Sequence, residues 1–206
     1  MDFFEILGGK DSEANMQLPD PCLVRYYQNL KNRIIYIDQE LGDETLEYQR
    51  QIIQYNIEDK DIPVEERKPI KLLINSPGGY LTEAMSLAKS IKLSKTPVYT
   101  YNMGECDSGA FILLISGMKR FALSGTFALY HRGSGSVGGD FDDTVSATKQ
   151  YKDQVNQMQE WVIENTKIQK SVLVRKKSAN WWMNDKEQVE NGVVDKIIES
   201  IDDIIE

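Results

Sequence analysis

The 206-residue sequence predicts an α/β fold built around a largely parallel sheet, and three observations carry that prediction. Short apolar runs alternate with stretches of helical periodicity, the pattern of repeated strand–turn–helix units. Glycine-rich turns stand between the two kinds of element, at residues 78–79 and 104–109. The residues best suited to chemistry fall at the carboxyl ends of strands, where such folds collect their functional groups.

The elements follow in order. Residues 1–21 are polar and interrupted by Gly8, Gly9, Pro19 and Pro21, so they read as a loose arm. Residues 33–38 (RIIYID) form a short strand and residues 43–55 an amphipathic helix. The charged stretch 56–69, with two prolines, is a surface connection. Residues 70–74 (IKLLI) form a strand that runs into the turn Ser76-Pro77-Gly78-Gly79. Leu81, Ala84, Met85, Ala88 and Ile91 then recur at helical spacing, and Pro97 separates that helix from a strand at 98–102 (VYTYN). A loop around Gly104 leads into an apolar helix at 111–116. Residues 120–123 and 127–130 read as a strand pair joined through Ser124-Gly125. From about 140 to 167, Tyr151, Val155, Met158 and Val162 mark one face of a long charged helix. A stripe that narrow suits a helix projecting onto a partner subunit or one lying on its own domain. Residues 172–177, 186–190 and 197–205 are mixed, without repeats.

Composition bounds the function. Its 206 residues suffice for one domain with a sizeable core, or one domain plus an extension, and 41% hydrophobic with 27% charged residues is an ordinary globular composition. Its net charge is −8, from 32 acidic and 24 basic residues with no basic stripe, which argues against nucleic acid or an anionic membrane as partner. The first residues have neither the basic nor the apolar segment of a signal peptide. The longest apolar run, near 109–116, is closed by Gly117 and is too short to span a bilayer. Cys22 and Cys106 match no metal or redox spacing, so no cofactor or metal is expected and the cytoplasm is the expected compartment. Cys106 reads as a reactive thiol or, with more weight, as a small buried residue.

A serine hydrolase needs a hydroxyl, an imidazole to take its proton, and backbone N–H groups aimed at the developing oxyanion. The segment N-S-P-G-G at 75–79 is by itself a tight turn after a strand, but its glycines also offer bare N–H groups. No Gly-Lys-Ser/Thr follows it, so it is not a phosphate loop. In G-E-C-D-S-G-A at 104–110, Ser108 has the small neighbours that let a serine occupy a sharp turn at the mouth of a helix. The same D-S-G also suits a plain helix cap. The N–H of Gly109 would open that helix toward an oxyanion. His131, the only histidine, follows the strand at 127–130; alone, such a residue is more often structural.

Taken together, L-L-I-N-S-P-G-G, the spacing from Gly79 to Ser108, the G-x-x-x-S turn and K-R-F-A-L resemble the proteolytic subunit of the Clp protease. F-A-L-Y-H, the glycine-rich 133–139 before a long helix, and N-G-V-V-D at 191–195 extend the resemblance over about residues 30–198. The resemblance implies a crotonase-like spiral of ββα units with a protruding handle helix. It implies an N-terminal arm at 1–28 and a peptidase domain at 29–206, with the handle at about 133–167. Ser108 matches the nucleophile, His131 the general base, and Gly79 and Gly109 the oxyanion donors. Asn180 falls at the third catalytic position, where the family usually has aspartate. The family assembles as a homo-oligomer of two stacked heptameric rings, a tetradecamer. It cuts peptides or unfolded proteins in an enclosed chamber, usually fed by a separate AAA+ unfoldase. Sliding the register by one residue would put Asp107 at the nucleophile position, but that breaks the ungapped spacing from Gly79.

The chain also departs from the family pattern. Asn180 can accept a hydrogen bond and orient an imidazole, but carries no charge to stabilise an imidazolium; another acid, such as Asp185, could supply it from a nearby position. Glu105 and Asp107 precede the nucleophile position: a carboxylate near His131 would raise its pKa, and one near an oxyanion would oppose catalysis. Ser178 and Ala179 replace an acidic–basic pair that the family uses between rings, and the N-terminal arm lacks the family's apolar axial loop. Two functions stay open, a serine endopeptidase and a catalytically weak or inactive ring subunit. A crotonase-type acyl-CoA enzyme is a third, disfavoured by the Ser and His placement.

Overall fold

The structure, a computed structural model, describes residues 20–205. Residues 1–19, and with them most of the expected loose arm, lie outside the described residues. The chain divides into two compact units, Met1–Asn32 and Arg33–Glu206. The described part of the first holds helix α1 (Pro21–Lys31), which begins with proline at its first turn and is capped by Asp20, whose carboxylate accepts the Cys22 N–H at 2.8 Å. The expected boundary at residue 28 falls inside this helix.

The second unit runs β1 (Ile34–Ile37), α2 (Thr45–Glu58), a 3₁₀ turn (Val64–Glu66), β2 (Ile70–Ser76), α3 (Leu81–Leu93), β3 (Val98–Asp107) and α4 (Gly109–Leu114). It continues with β4 (Lys119–Leu123), β5 (Phe127–Tyr130), α5 (Phe141–Asn165), α6 (Lys170–Arg175), β6 (Trp181–Asn184), α7 (Asp185–Glu190), β7 (Lys196–Ile198) and α8 (Asp202–Ile205). The strands pair in the order β1-β2-β3-β4-β7, with β5 also on β3 and β6 on β5. Every pairing is parallel except β5 with β6. This is a mixed α/β, parallel-dominated architecture, that of the crotonase-like fold. β2 is buried along nearly its whole length, as a strand covered on both faces must be.

Two expectations about local structure are corrected. Residues 103–107 are not a loop: β3 continues through them to Asp107. The residues 120–123 and 127–130 do not pair with each other, because β4 lies along the first half of β3 (Tyr99 to Asn102) and β5 along the second (Glu105 to Asp107). Residues 124–126 therefore step the chain sideways without reversing it, through Gly125 at φ 81°. β3 makes this fork possible by a bulge. Ile74 pairs with Asn102 and Ser76 with Cys106, so β3 spends four residues where β2 spends two. Polar side chains take over where the ladder opens. The Asn75 Oδ1 accepts the Glu105 N–H at 3.0 Å, and fully buried Asn102 donates to the Phe127 carbonyl at 2.8 Å and to Gln188 Oε1 at 3.0 Å. Gln188, also fully buried, donates in turn to the Thr126 carbonyl at 3.1 Å.

The long helix resolves the open question about its stripe by dividing it. Val155, Met158 and Val162 are buried in its second half, where Trp161 Nε1 also donates to Ser116 Oγ at 3.0 Å. Its first half is bare, with Phe141 81% and Val145 54% exposed. Cys106 takes the structural reading: it is buried, and burial first, then Asp107 and Glu105, push its thiol well above the ordinary range.

Candidate active site

The bulge and fork bring the ends of β3 and β5 side by side, and the Ser108 N–H donates to the Leu129 carbonyl at 3.0 Å. Between β3 and α4 the chain must turn within one residue. Ser108 makes that turn at φ 53°, ψ −114°, a left-handed conformation rare for a side chain with a Cβ and typical of functional sites. It occupies the cap position of α4 yet makes no cap hydrogen bond with its side chain. Its Oγ instead lies 2.6 Å from His131 Nε2. The plain-cap reading of D-S-G is thereby set aside.

His131 directly follows β5. Burial lowers its pKa below the ordinary 6.5, which favours the neutral imidazole at neutral pH. A neutral ring with Nε2 as acceptor toward Ser108 carries its proton on Nδ1, an assignment that follows from the hydrogen bond.

Gly78 and Gly79 lie against the same turn. Leu41 clasps them in place: its N–H donates to the Gly78 carbonyl at 2.6 Å and its carbonyl accepts the Tyr80 N–H at 3.1 Å. Gly79, at φ 151°, leaves no room for a Cβ, which would collide with the Leu41 backbone. A Cβ on Gly78 would stand 2.7 Å from the Gly109 nitrogen and 2.8 Å from Ser108 Cβ. A Cβ on Gly109 would stand 3.5 Å from the Gly79 nitrogen. The two nitrogens are thus close neighbours beside Ser108. Gly109 is the first residue of α4 and has no acceptor within the helix. Gly79 donates no backbone bond among the described residues. Both N–H groups border, with Ser108 and His131, a cavity of about 380 Å³.

Asn180 is brought near but not engaged. β6 runs antiparallel to β5 with Leu129 opposite Trp182 and Tyr130 opposite Trp181, so one further step of the ladder sets His131 opposite Asn180. Asn180 is exposed there, and among the described residues no hydrogen bond joins it to His131. Asp185 is not brought to the site. Its carboxylate accepts the Gly125 N–H at 2.7 Å and holds the step between β4 and β5.

Asp107 is a different matter. It is 8% exposed, its Oδ1 is buried without a partner among the described residues, and burial, then Glu105, push its pKa up to about 6. No hydrogen bond joins it to His131. Sequence reasoning missed Leu41, for which no signal existed, and Arg132, which lines the same cavity and whose place directly after His131 was the available signal.

A serine hydroxyl bonded to a neutral imidazole beside two neighbouring glycine N–H groups, on a crotonase-like sheet, is the arrangement of a hydrolase of the acyl-transfer type. The comparisons with known proteins narrow that class. The profile of the Clp protease family matches residues 21–201, and the chain belongs to that family. ATP-dependent Clp protease proteolytic subunit 2 of Corynebacterium diphtheriae is 31% identical over 192 residues, covering 92% of each chain. The subunit of the same name from Bifidobacterium longum is 31% identical, covering 97% of this chain and 92% of its own. That of Treponema denticola is 26% identical over 95% of this chain and 96% of its own. The chain is thus a proteolytic-subunit-like member of a peptidase family. No helix among the described residues is long and apolar enough to cross a membrane.

Proposed function

We propose that the chain is a serine endopeptidase subunit that cleaves peptide bonds of peptides or unfolded proteins. The observation that carries this reading is the 2.6 Å contact between Ser108 Oγ and His131 Nε2 beside the N–H groups of Gly79 and Gly109. His131 Nε2 takes the Ser108 proton as Oγ bonds to the peptide carbonyl carbon. The carbonyl oxygen becomes an oxyanion held by the two glycine N–H groups. As the C–N bond breaks, His131 returns the proton to the leaving amine, and water then releases the acyl group by the same steps. In this reading Asn180, opposite His131 on the β5–β6 ladder, is the residue that would orient the ring by turning its amide onto Nδ1. No cofactor is required.

The assembly follows the family: a homo-oligomer of stacked heptameric rings, cytoplasmic, working with an AAA+ unfoldase and with neither nucleic acid nor membrane as partner. The bare first half of α5 supports the part of handle between rings, within a handle region of about 133–167. The peptidase region is taken as 29–206, after an arm at 1–28.

A second reading is a catalytically weak or inactive ring subunit with a structural or regulatory role. The uncharged, unengaged Asn180 favours it. A fluorophosphonate probe on the assembled protein, with Ser108→Ala as control and mass spectrometry to locate the label, decides. Label on Ser108 establishes an activated nucleophile; an unlabelled assembled ring leaves the second reading.

A further inference from the structure

The site holds one cation that no group among the described residues engages. Arg132 follows His131 directly and lines the cavity containing Ser108. Its Nε is buried and has no partner, and the guanidinium makes no ion pair or hydrogen bond among the described residues. The other well-packed arginines are fully engaged. Arg33 is bidentate to Asp59 at 2.6 Å, and Arg120 binds Asp195 at 2.6 Å and the Gly192 carbonyl at 2.9 Å. A buried guanidinium nitrogen without an acceptor is costly, and the cost is recovered when a carboxylate accepts from its fork of donors. Such a partner is not scarce for want of acids. The chain carries 32 of them, yet none among the described residues is folded onto Arg132.

The position of Arg132 fixes what the partner must be. It is one residue from the general-base candidate, and Gly133 at φ 85° turns the chain away immediately after it. A group bound there lies within a residue or two of the bond presented to Ser108. The only acid on the cavity lining is Glu83, from α3, and it makes no ion pair with Arg132 among the described residues. Arg132 and Glu83 leave the lining with no net charge, so selectivity comes from the place of the guanidinium rather than from bulk attraction. We infer that Arg132 is a specificity determinant that binds a substrate carboxylate close to the scissile bond. This inference rests on the peptidase reading. The carboxylate is an Asp or Glu side chain or the peptide's own C-terminal carboxylate, one chemistry from two sources.

The test is binding first, so that it does not depend on turnover. Fluorescent peptides matched except for Glu or Gln near the centre, each with a free or amidated C-terminus, are titrated onto assembled Ser108→Ala protein. The Glu or free-acid peptide is expected to bind about tenfold tighter than its neutral twin at low salt, with the ratio shrinking as salt rises. Whichever pair shows the ratio identifies the source. Adding Arg132→Gln should bring the ratio to about one, and Arg132→Lys should keep part of it, since Lys retains the charge without the fork. Equal affinity for acidic and neutral peptides in the Ser108→Ala protein overturns the proposal, whatever the arginine variants do. So does a ratio that survives Arg132→Gln. With Ser108 restored, cleavage of all peptides at equal rates defeats this inference alone, whereas no cleavage and no fluorophosphonate label defeats the peptidase reading instead.

Discussion

At the scale of the residue, burial shifts the protonation of half-buried His131 and buried Asp107 in opposite senses. In the proposed mechanism His131 must be neutral to take the Ser108 proton, and burial lowers its pKa, so the neutral form persists to lower pH than in an unfolded chain. The acid limb of kcat/KM is therefore expected below pH 6.5. Asn180→Asp would set a carboxylate opposite His131, raise its pKa and move that limb upward. It should also raise kcat/KM at pH 8 by about tenfold or more, given the roughly 10⁴-fold cost of the reverse change in a serine protease. A pH–rate profile of both proteins checks it; a limb that does not move means the two side chains do not meet. Asp107 works in the opposite sense. Its folded pKa of about 6 lies above the unfolded value of 3.8, so the folded state holds its proton more tightly. Stability from this group is present below pH 3.8 and is lost as pH rises through about 6. Asp107→Asn should accordingly raise the melting temperature by several degrees at pH 8 and change it little at pH 3.5. Thermal melts at the two pH values decide.

Elements depend on a few polar pins. Arg33, itself at φ 58°, is bidentate to Asp59 at the end of α2, and the Thr96 hydroxyl before β3 donates to the same carboxylate at 2.9 Å. Arg33, first of all, holds the Asp59 pKa below the usual carboxylate range. Its contribution is present above the unfolded value of 3.8 and is lost as pH falls through the lower folded one. Asp59→Ala leaves a cation without its partner and should cost roughly 3–5 kcal/mol in urea unfolding at pH 7. At the glycine turn, Gly79→Ala drives a methyl into the Leu41 backbone. We expect at least a hundredfold loss of peptidase activity, the scale of losing one oxyanion donor. Measured against fluorophosphonate labelling of the same protein, loss of both reports a displaced site.

At the scale of the whole molecule, the proposed ring assembly would bury the exposed first half of α5 against another copy. The first half of α5 carries Phe141 and Val145 into solvent, while the second half is packed. Replacing both by Asp should lower the particle mass in light scattering, toward single rings or smaller, without lowering the melting temperature of the subunit core. Unchanged mass would place the ring contacts elsewhere.

How much of this was legible differs by kind. Ser108, His131, Gly79 and Gly109 could be picked out because a hydrolase needs those residue types and because small neighbours announce a sharp turn. Strands 34–37 and 70–76 and helix α5 could be read because burial writes its period into the sequence. The partners of β4 and β5 could not. Ser124-Gly125 looks like a hairpin, and only the bulge in β3, with Asn102 and Gln188 filling the opening, sends both strands parallel along one neighbour. The state of Asn180, Asp185, Asp107 and Arg132 was equally hidden, since a side chain's partner is chosen by residues distant in the chain. Sequence by itself determined the α/β class and the residues available for chemistry, because periodicity and local turn geometry are encoded within a few positions, and its motifs carried the resemblance to the family. Tertiary structure alone decided that Ser108 meets His131, that Asp185 serves the β4–β5 step, and that Arg132 stands unpaired among the described residues, because contacts across a sheet depend on register and register is a property of the packed whole.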